Sequence, residues 1–118
     1  MKREEVEKFI EEEYAVLPDY LWKDDHITGA LRHPNSKKWF GILMRISARR
    51  LNIDTDESVD IINVKLDPDF IQVLLRDKAG QVFPAYHMNK KHWISILLEK
   101  TDAELIKALI HESYKITL

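Results

Sequence analysis

Histidines, clustered aspartates and paired basic residues are the side chains in this sequence that could do chemistry, and their spacing decides which chemistry. His87 and His92 stand five residues apart. A helical zinc pair wants i,i+4, and five is no better for a strand pair, so the two are not expected to share a metal. Asp54, Asp56, Ser58 and Asp60 alternate like calcium ligands, but Val59 takes the sixth position and Lys65 the twelfth, where a glycine and a bidentate glutamate are required. His111, Glu112 and Ser113 are consecutive, and consecutive side chains on a helix diverge rather than meet at one substrate. The sequence has no nucleophile elbow, P-loop or GxGxxG turn, and no pair of carboxylates inside an apolar run where burial would split their pKa values. On these grounds no enzymatic activity, metal or cofactor is expected.

What remains is charge presented on turns. Lys37-Lys38, Arg49-Arg50 and Lys90-Lys91 each sit in or beside a turn signal, and Asn89 and His92 add hydrogen-bonding groups around the third pair. Long cationic side chains on turns can reach phosphates, which makes DNA the expected partner and Lys37, Lys38, Arg49, Arg50, Asn89, Lys90, Lys91 and His92 the expected contacts. Paired lysines in turns also serve solubility alone, and His87 and Asn89 can equally hold their turn by bonding its backbone.

Composition limits how such a surface could work. The chain has 118 residues, 45% of them hydrophobic, with 18 Lys plus Arg against 20 Asp plus Glu and a formal charge of -2. A chain of this size buries roughly two thirds of its unfolded surface, enough for one core, so residues 1–118 are read as one domain. The acidic balance argues against coating a nucleic acid through bulk charge and leaves only local basic tips. Cysteine is absent, which excludes disulfides, thiolate catalysis and cysteine-ligated metals. Met1-Lys2-Arg3-Glu4-Glu5 has no apolar run behind it and no window holds the ~18 apolar residues of a spanning helix. A cytoplasmic protein without a membrane partner is therefore expected.

The elements that must carry these residues follow from periodicity. Val6, Phe9, Ile10 and Tyr14 recur at helical spacing ahead of Pro18, with Glu4, Glu5, Glu11 and Glu12 on the polar positions and Glu4–Lys8 as an i,i+4 pair. A period of two then marks strands over 27–33, 39–46 and 59–66, the first two joined by the turn His33-Pro34-Asn35-Ser36. Asp67-Pro68 caps a second helix ending before Gly80, the apolar run 93–98 suits a central strand, and Thr101-Asp102-Ala103-Glu104 reads as a capping box opening the last helix. Strands grouped together favour a two-layer α+β domain, an antiparallel sheet with helices on one face, in the order α-β-β-β-α-β(β)-α.

Alternation along the second strand puts Phe40, Ile42, Met44 and Ile46 on one face and Trp39, Gly41, Leu43 and Arg45 on the other. If the first set meets the helices, the outward face gathers Trp39 and Arg45 with Thr28, Arg32, Asn63, Lys65, Trp93 and Ser95. Arg32, Trp39, Arg45, Lys65 and Trp93 then form an aromatic and basic surface suited to a small ligand or a peptide. A second copy of the chain, packing through Trp39, Ile61 and Leu97, is the other candidate occupant, which would make a homodimer. Trp93, opening the apolar run, is expected to be core or the floor of a pocket.

The run Pro84 to Leu98, PAYHMNKKHWISILL, together with NVKLDPDFIQVLLR, LPDYLW, RHPNSKKWFGILM and the late SYKIT, resembles the MmcQ/YjbR family over about Leu17 to Thr117. HMNKKHW is its most specific piece. The resemblance implies a frataxin-like or secretion-chaperone-like α+β fold, described for the family as a double-wing DNA-binding fold, and implies no established reaction. Where many members read KCDP this chain has Lys65-Leu66-Asp67-Pro68, so no thiol chemistry can operate there and Leu66 is expected in the core.

Overall fold

The computed structural model describes residues 1–118. Helix α1 (Arg3–Tyr14) forms where Val6 and Ile10 fall on one buried stripe, and the Glu5 carboxylate accepts the Lys2 backbone N–H at 2.8 Å to cap its start. Ala15, at φ 55° in the left-handed region, closes it by donating to Glu11 O. Its i,i+4 ion pairs are Arg3–Glu7, at 3.3 Å, and Lys8–Glu12, at 3.9 Å, rather than Glu4–Lys8.

Strands β1 (Gly29–Arg32), β2 (Trp39–Ser47) and β3 (Ser58–Lys65) follow, with a 3₁₀ turn over Ala48–Leu51. Helix α2 (Pro68–Asp77), strands β4 (Val82–Pro84) and β5 (Trp93–Leu97) and helix α3 (Ala103–Ile116) complete the α+β order. The five strands run antiparallel in the spatial order β1-β2-β3-β5-β4. Asp67 caps α2 by accepting from Asp69 and Phe70, with Pro68 at its first position. At α3 the cap is Asp102 and not Thr101: the carboxylate accepts from Glu104 and Leu105, whereas the buried Thr101 hydroxyl lies 2.7 Å from Leu97 O and 3.1 Å from Gln81 O.

All three helices cover one face of the sheet, over a core that includes Val6, Ile10, Leu31, Leu43, Ile62, Val64, Ile94, Ile96, Ile106 and Ile110. Leu66 lies in the same core. The face assignment differs from simple alternation. Leu31 pairs with Gly41 and Arg32 with Trp39, so Phe40 is an extra residue in a bulge, and a bulge doubles one side. Phe40 turns into the helix layer against Tyr14, Tyr114 and His33, at ring separations of 5.8, 5.1 and 5.1 Å. Beyond it Gly41 and Leu43 take the helix side, and Ile42, Met44 and Ile46 turn to the opposite face. Gly41 fits closely there: a Cβ would stand 3.0 Å from the Leu31 Cδ1 atom, and that side chain would have to yield by a few tenths of an ångström.

Helix α3 repairs the ladder at the bulge. The β2–β3 pairing stops at Gly41–Val64, and the buried Ser113 hydroxyl occupies the next step, donating to Phe40 O at 2.6 Å and accepting Lys65 N–H at 2.9 Å. One turn on, the Thr117 hydroxyl donates to Ser113 O at 2.7 Å and lies 2.8 Å from His33 Nε2. With the hydroxyl proton so committed, Nε2 of His33 is the donor. Burial, and then the Lys38 charge, push the His33 pKa below its ordinary value.

Candidate functional site

The second face of the sheet carries the site. A smaller apolar cluster of Ala48, Leu51, Val59, Ile61 and Leu97 fills the half beneath the 3₁₀ turn. Over the other half, two irregular segments approach the strands and leave a cavity of about 480 Å³ between them. The bulge points Trp39, Ile42 and Met44 into its floor, and residues 22–28 and 86–88 form its walls.

Each wall is fixed by polar contacts to the strands or helices. On one side Asp19 exchanges backbone hydrogen bonds with Ala30 (2.8 and 2.9 Å), and the buried Arg3 of α1 donates to Ile27 O. Within this segment Asp25 Oδ1 accepts the N–H groups of Ile27 and Thr28, both at 2.8 Å. Thr28, through its backbone and then its side chain, and Ile27 hold the Asp25 carboxyl at a pKa of about 2. The turn presents Trp22 edge-on to Trp39, with ring centres 5.9 Å apart at 64°.

On the other side, two fully buried polar side chains, Asn63 of β3 and Ser95 of β5, lie opposite each other in register and bond at 2.5 Å. Their remaining groups grip one residue: Asn63 Nδ2 donates to Tyr86 O at 2.9 Å, and Ser95 Oγ accepts Tyr86 N–H at 2.9 Å. Tyr86 is thereby held across the sheet with His87 stacked on it, ring centres 4.0 Å apart, and His87 bends the chain at φ 57°. Asn89 closes the turn, its Oδ1 accepting from Lys91 and His92 and its backbone O from Trp93. Tyr86, His87 and Met88 of this segment line the cavity, whereas Asn89, Lys90 and Lys91 are exposed.

That geometry redistributes the residues expected to act together. Lys37, Lys38, Arg50 and Lys91 are exposed and form no ion pair. Arg49 is held by Asp56 at 2.5 Å and Asp54 at 3.1 Å from its own loop. Lys90 Nζ donates to Ala85 O at 2.8 Å, and its side chain shares a small depression with Arg50 and Phe83. Asn89 holds the turn, and His92 is half-buried with its carbonyl accepting Leu66 N–H. Lys37 lies in a different depression beside Asp19 and Arg32.

Of the expected aromatic and basic face, only Trp39 reaches the cavity. Arg32 is drawn into an ion pair with Asp19, and Arg45 pairs with Asp60 at 3.0 Å on the helix side of the sheet, where the bulge has put it. Lys65 and Trp93 are cross-strand partners at the end of β3 and β5. Trp93 is half-buried and belongs to neither apolar cluster nor to the cavity lining, which corrects the expectation of core or pocket floor. Ile61 and Leu97 are covered by Ala48 and Leu51 and so are not available to a second copy. Trp22 and Asp25 are absent from the expected site because residues 19–26 show no period of two or 3.6, and Met88 because it lies in a turn with no period of its own.

His111, Glu112 and Ser113 do diverge: His111 Nδ1 meets the Tyr14 hydroxyl at 2.9 Å, whereas Ser113 is sealed beneath α3. No helix is long and apolar enough to cross a membrane.

These features define a class: a two-layer α+β domain whose sheet is closed by helices on one side and held open over a cavity on the other. The family model YjbR matches residues 12–116, and the chain belongs to the YjbR family. It is 40% identical over 118 residues to YyaQ of Bacillus subtilis, itself an uncharacterised protein, with 99% of this chain and 98% of that one aligned. The crystal structure of a Pseudomonas syringae protein superposes with a TM-score of 0.95 at 34% identity, covering 100% of both chains. A Deinococcus radiodurans protein with a DUF419 domain shares the fold, with a TM-score of 0.73 at 22% identity over 96% of this chain and 75% of that one.

Proposed function

We propose that this domain is a non-catalytic binding module whose ligand occupies the cavity between Trp22, Trp39 and Tyr86. The observation that carries the reading is the convergence of three aromatic rings over apolar strand residues, at about 480 Å³, under walls held by the Asp25 and Asn63–Ser95 hydrogen bonds. Small-molecule sites have this volume and makeup, mostly apolar with a few fixed polar groups. Two of the three tryptophans line the cavity and one does not, which makes the protein its own reporter. In a thermal-shift and fluorescence screen of small molecules, a ligand should lose about tenfold in affinity in Trp39→Ala and keep its affinity in Trp93→Phe. Ligands indifferent to Trp39→Ala would overturn the reading.

A second reading, contact with duplex DNA, is favoured by Lys37, Lys38, Arg50 and Lys91, four exposed cations of the basic turns that have no carboxylate partner. Four phosphate contacts predict that log affinity falls against log salt with a slope of about -3.6. Changing Lys37 and Lys38 to glutamine should reduce that slope by about two. A slope unaffected by that change, or no duplex binding at low salt, leaves the cavity reading alone.

A further inference from the structure

We propose that the ligand of this cavity is a small aromatic cation, an inference that rests on the cavity reading above and specifies its chemistry. The lining contains one carboxylate, Asp25, and neither lysine nor arginine. Asp25 has no cationic partner anywhere in the chain. Its Oδ1 is fixed by the Ile27 and Thr28 N–H groups at 2.8 Å, which hold the side chain in one orientation and favour its ionised form. A negative charge therefore stands at the edge of an aromatic enclosure at every physiological pH.

The rings add attraction of the same sign. Trp22 and Trp39 both line the cavity and meet edge-to-face at 64°. Indole faces attract cations through the ring quadrupole, and the thioethers of Met44 and Met88 add polarisable surface around a flat ligand. An anion would meet a carboxylate and no cationic side chain. A neutral ligand would strip water from Asp25 and give nothing back. Access comes from the Trp22 side, where that side chain is 42% exposed, whereas the floor is closed by Ile42 at 4%.

Three probes of one shape separate the possibilities: naphthyltrimethylammonium, its neutral isostere tert-butylnaphthalene, and naphthalenesulfonate. Each is titrated into the intact protein at a pH of about 8, while the indole N–H resonances of all three tryptophans are followed. The expected result is movement of the Trp22 and Trp39 resonances with Trp93 still, and about tenfold tighter binding of the cation than of the isostere. Asp25→Asn keeps the Oδ1 acceptor that organises the loop. It should reduce the preference to within about twofold while the protein still unfolds cooperatively, with a melting temperature lowered only by the loss of the charge on the two retained hydrogen bonds. Equal binding of all three probes, or preference for the sulfonate, with the same two resonances moving, would overturn the cationic assignment and leave the cavity reading intact. No movement of Trp22 or Trp39 with any probe would overturn both.

Discussion

The two faces of the sheet are built on different principles. The helix-covered face is closed by a continuous apolar core, and three of its buried polar groups, Ser113, Thr117 and His33, are consumed at the break at the Phe40 bulge. On the opposite face, two central strands devote a fully buried Asn63 and Ser95 to holding the backbone of Tyr86. Apolar burial is non-directional and tolerates repacking, whereas a satisfied hydrogen-bond network fixes a position. The first face thus stabilises the fold, and the second places a wall at a set distance from the strands. A cavity survives only where such a wall is held from closing.

The sharpest test of this contrast uses neighbouring aromatics on opposite faces. Phe40 is fully buried in the helix layer and Trp39 is half-exposed in the cavity. Phe40→Ala should destabilise by about 3–5 kcal/mol in chemical denaturation. Trp39→Ala, the larger truncation, should cost less than half of that because its ring leaves open space rather than a sealed void. Equal losses would mean that both faces are core. The next effect concerns the clamp. Ser95→Ala leaves the Asn63 oxygen and the Tyr86 N–H without partners, and an unsatisfied buried group costs about 1–3 kcal/mol. Amide exchange should accelerate over residues 85–92 first, since few other contacts hold them. Uniform acceleration across the sheet would show that the clamp belongs to the core and not to a separately anchored wall.

A smaller effect probes the polar part of the helix face. His33 has a pKa below the ordinary 6.5, so the unfolded chain binds its proton more readily than the folded one. Stability from this site is complete above about 6.5 and declines as the pH falls below that value toward the folded pKa. His33→Gln retains an N–H donor for Thr117 and lacks the titration. Melting temperature between pH of about 7.5 and 5 should therefore fall more steeply in the parent than in the variant. Parallel curves would remove His33 from the account.

Much of this architecture was legible before any coordinates. The helices, the capping by Asp67-Pro68 and the order of strands follow from periods of 3.6 and two. The facing of β2 was not, because alternation assumes an unbroken ladder. The one local hint was Gly41, an isolated glycine inside a strand, which often marks a bulge. Once Phe40 is counted twice on one side, Arg45 leaves the expected ligand face and Ile42 and Met44 enter it. The clamp was hidden for a different reason: Asn63 and Ser95 are 32 positions apart and become partners only through the β3–β5 register. Arg49 illustrates the limit of reading basic pairs as free charge. Its loop also carries Asp54 and Asp56, and a flexible guanidinium finds the nearest carboxylates first.

The outer surface of α1 belongs to neither face and sets the floor of the comparison. Its glutamates resemble an acidic ridge that could hold a metal, yet Glu4, Glu11 and Glu12 are exposed, and the pair Lys8–Glu12 at 3.9 Å joins side chains 78% and 64% exposed. Exposed pairs of this kind contribute only about 0.3–0.5 kcal/mol. The triple change Glu4→Gln, Glu11→Gln, Glu12→Gln should leave both the melting temperature and cavity binding within experimental scatter of the parent. Glu5 is the exception that the sequence did not separate from its neighbours. Its carboxylate accepts the Lys2 N–H at 2.8 Å, and losing such a cap costs about 0.5–2 kcal/mol, so Glu5→Ala should register where the triple change does not. Stoichiometric iron binding that the triple change abolishes would give this ridge a role of its own and move part of the function off the sheet.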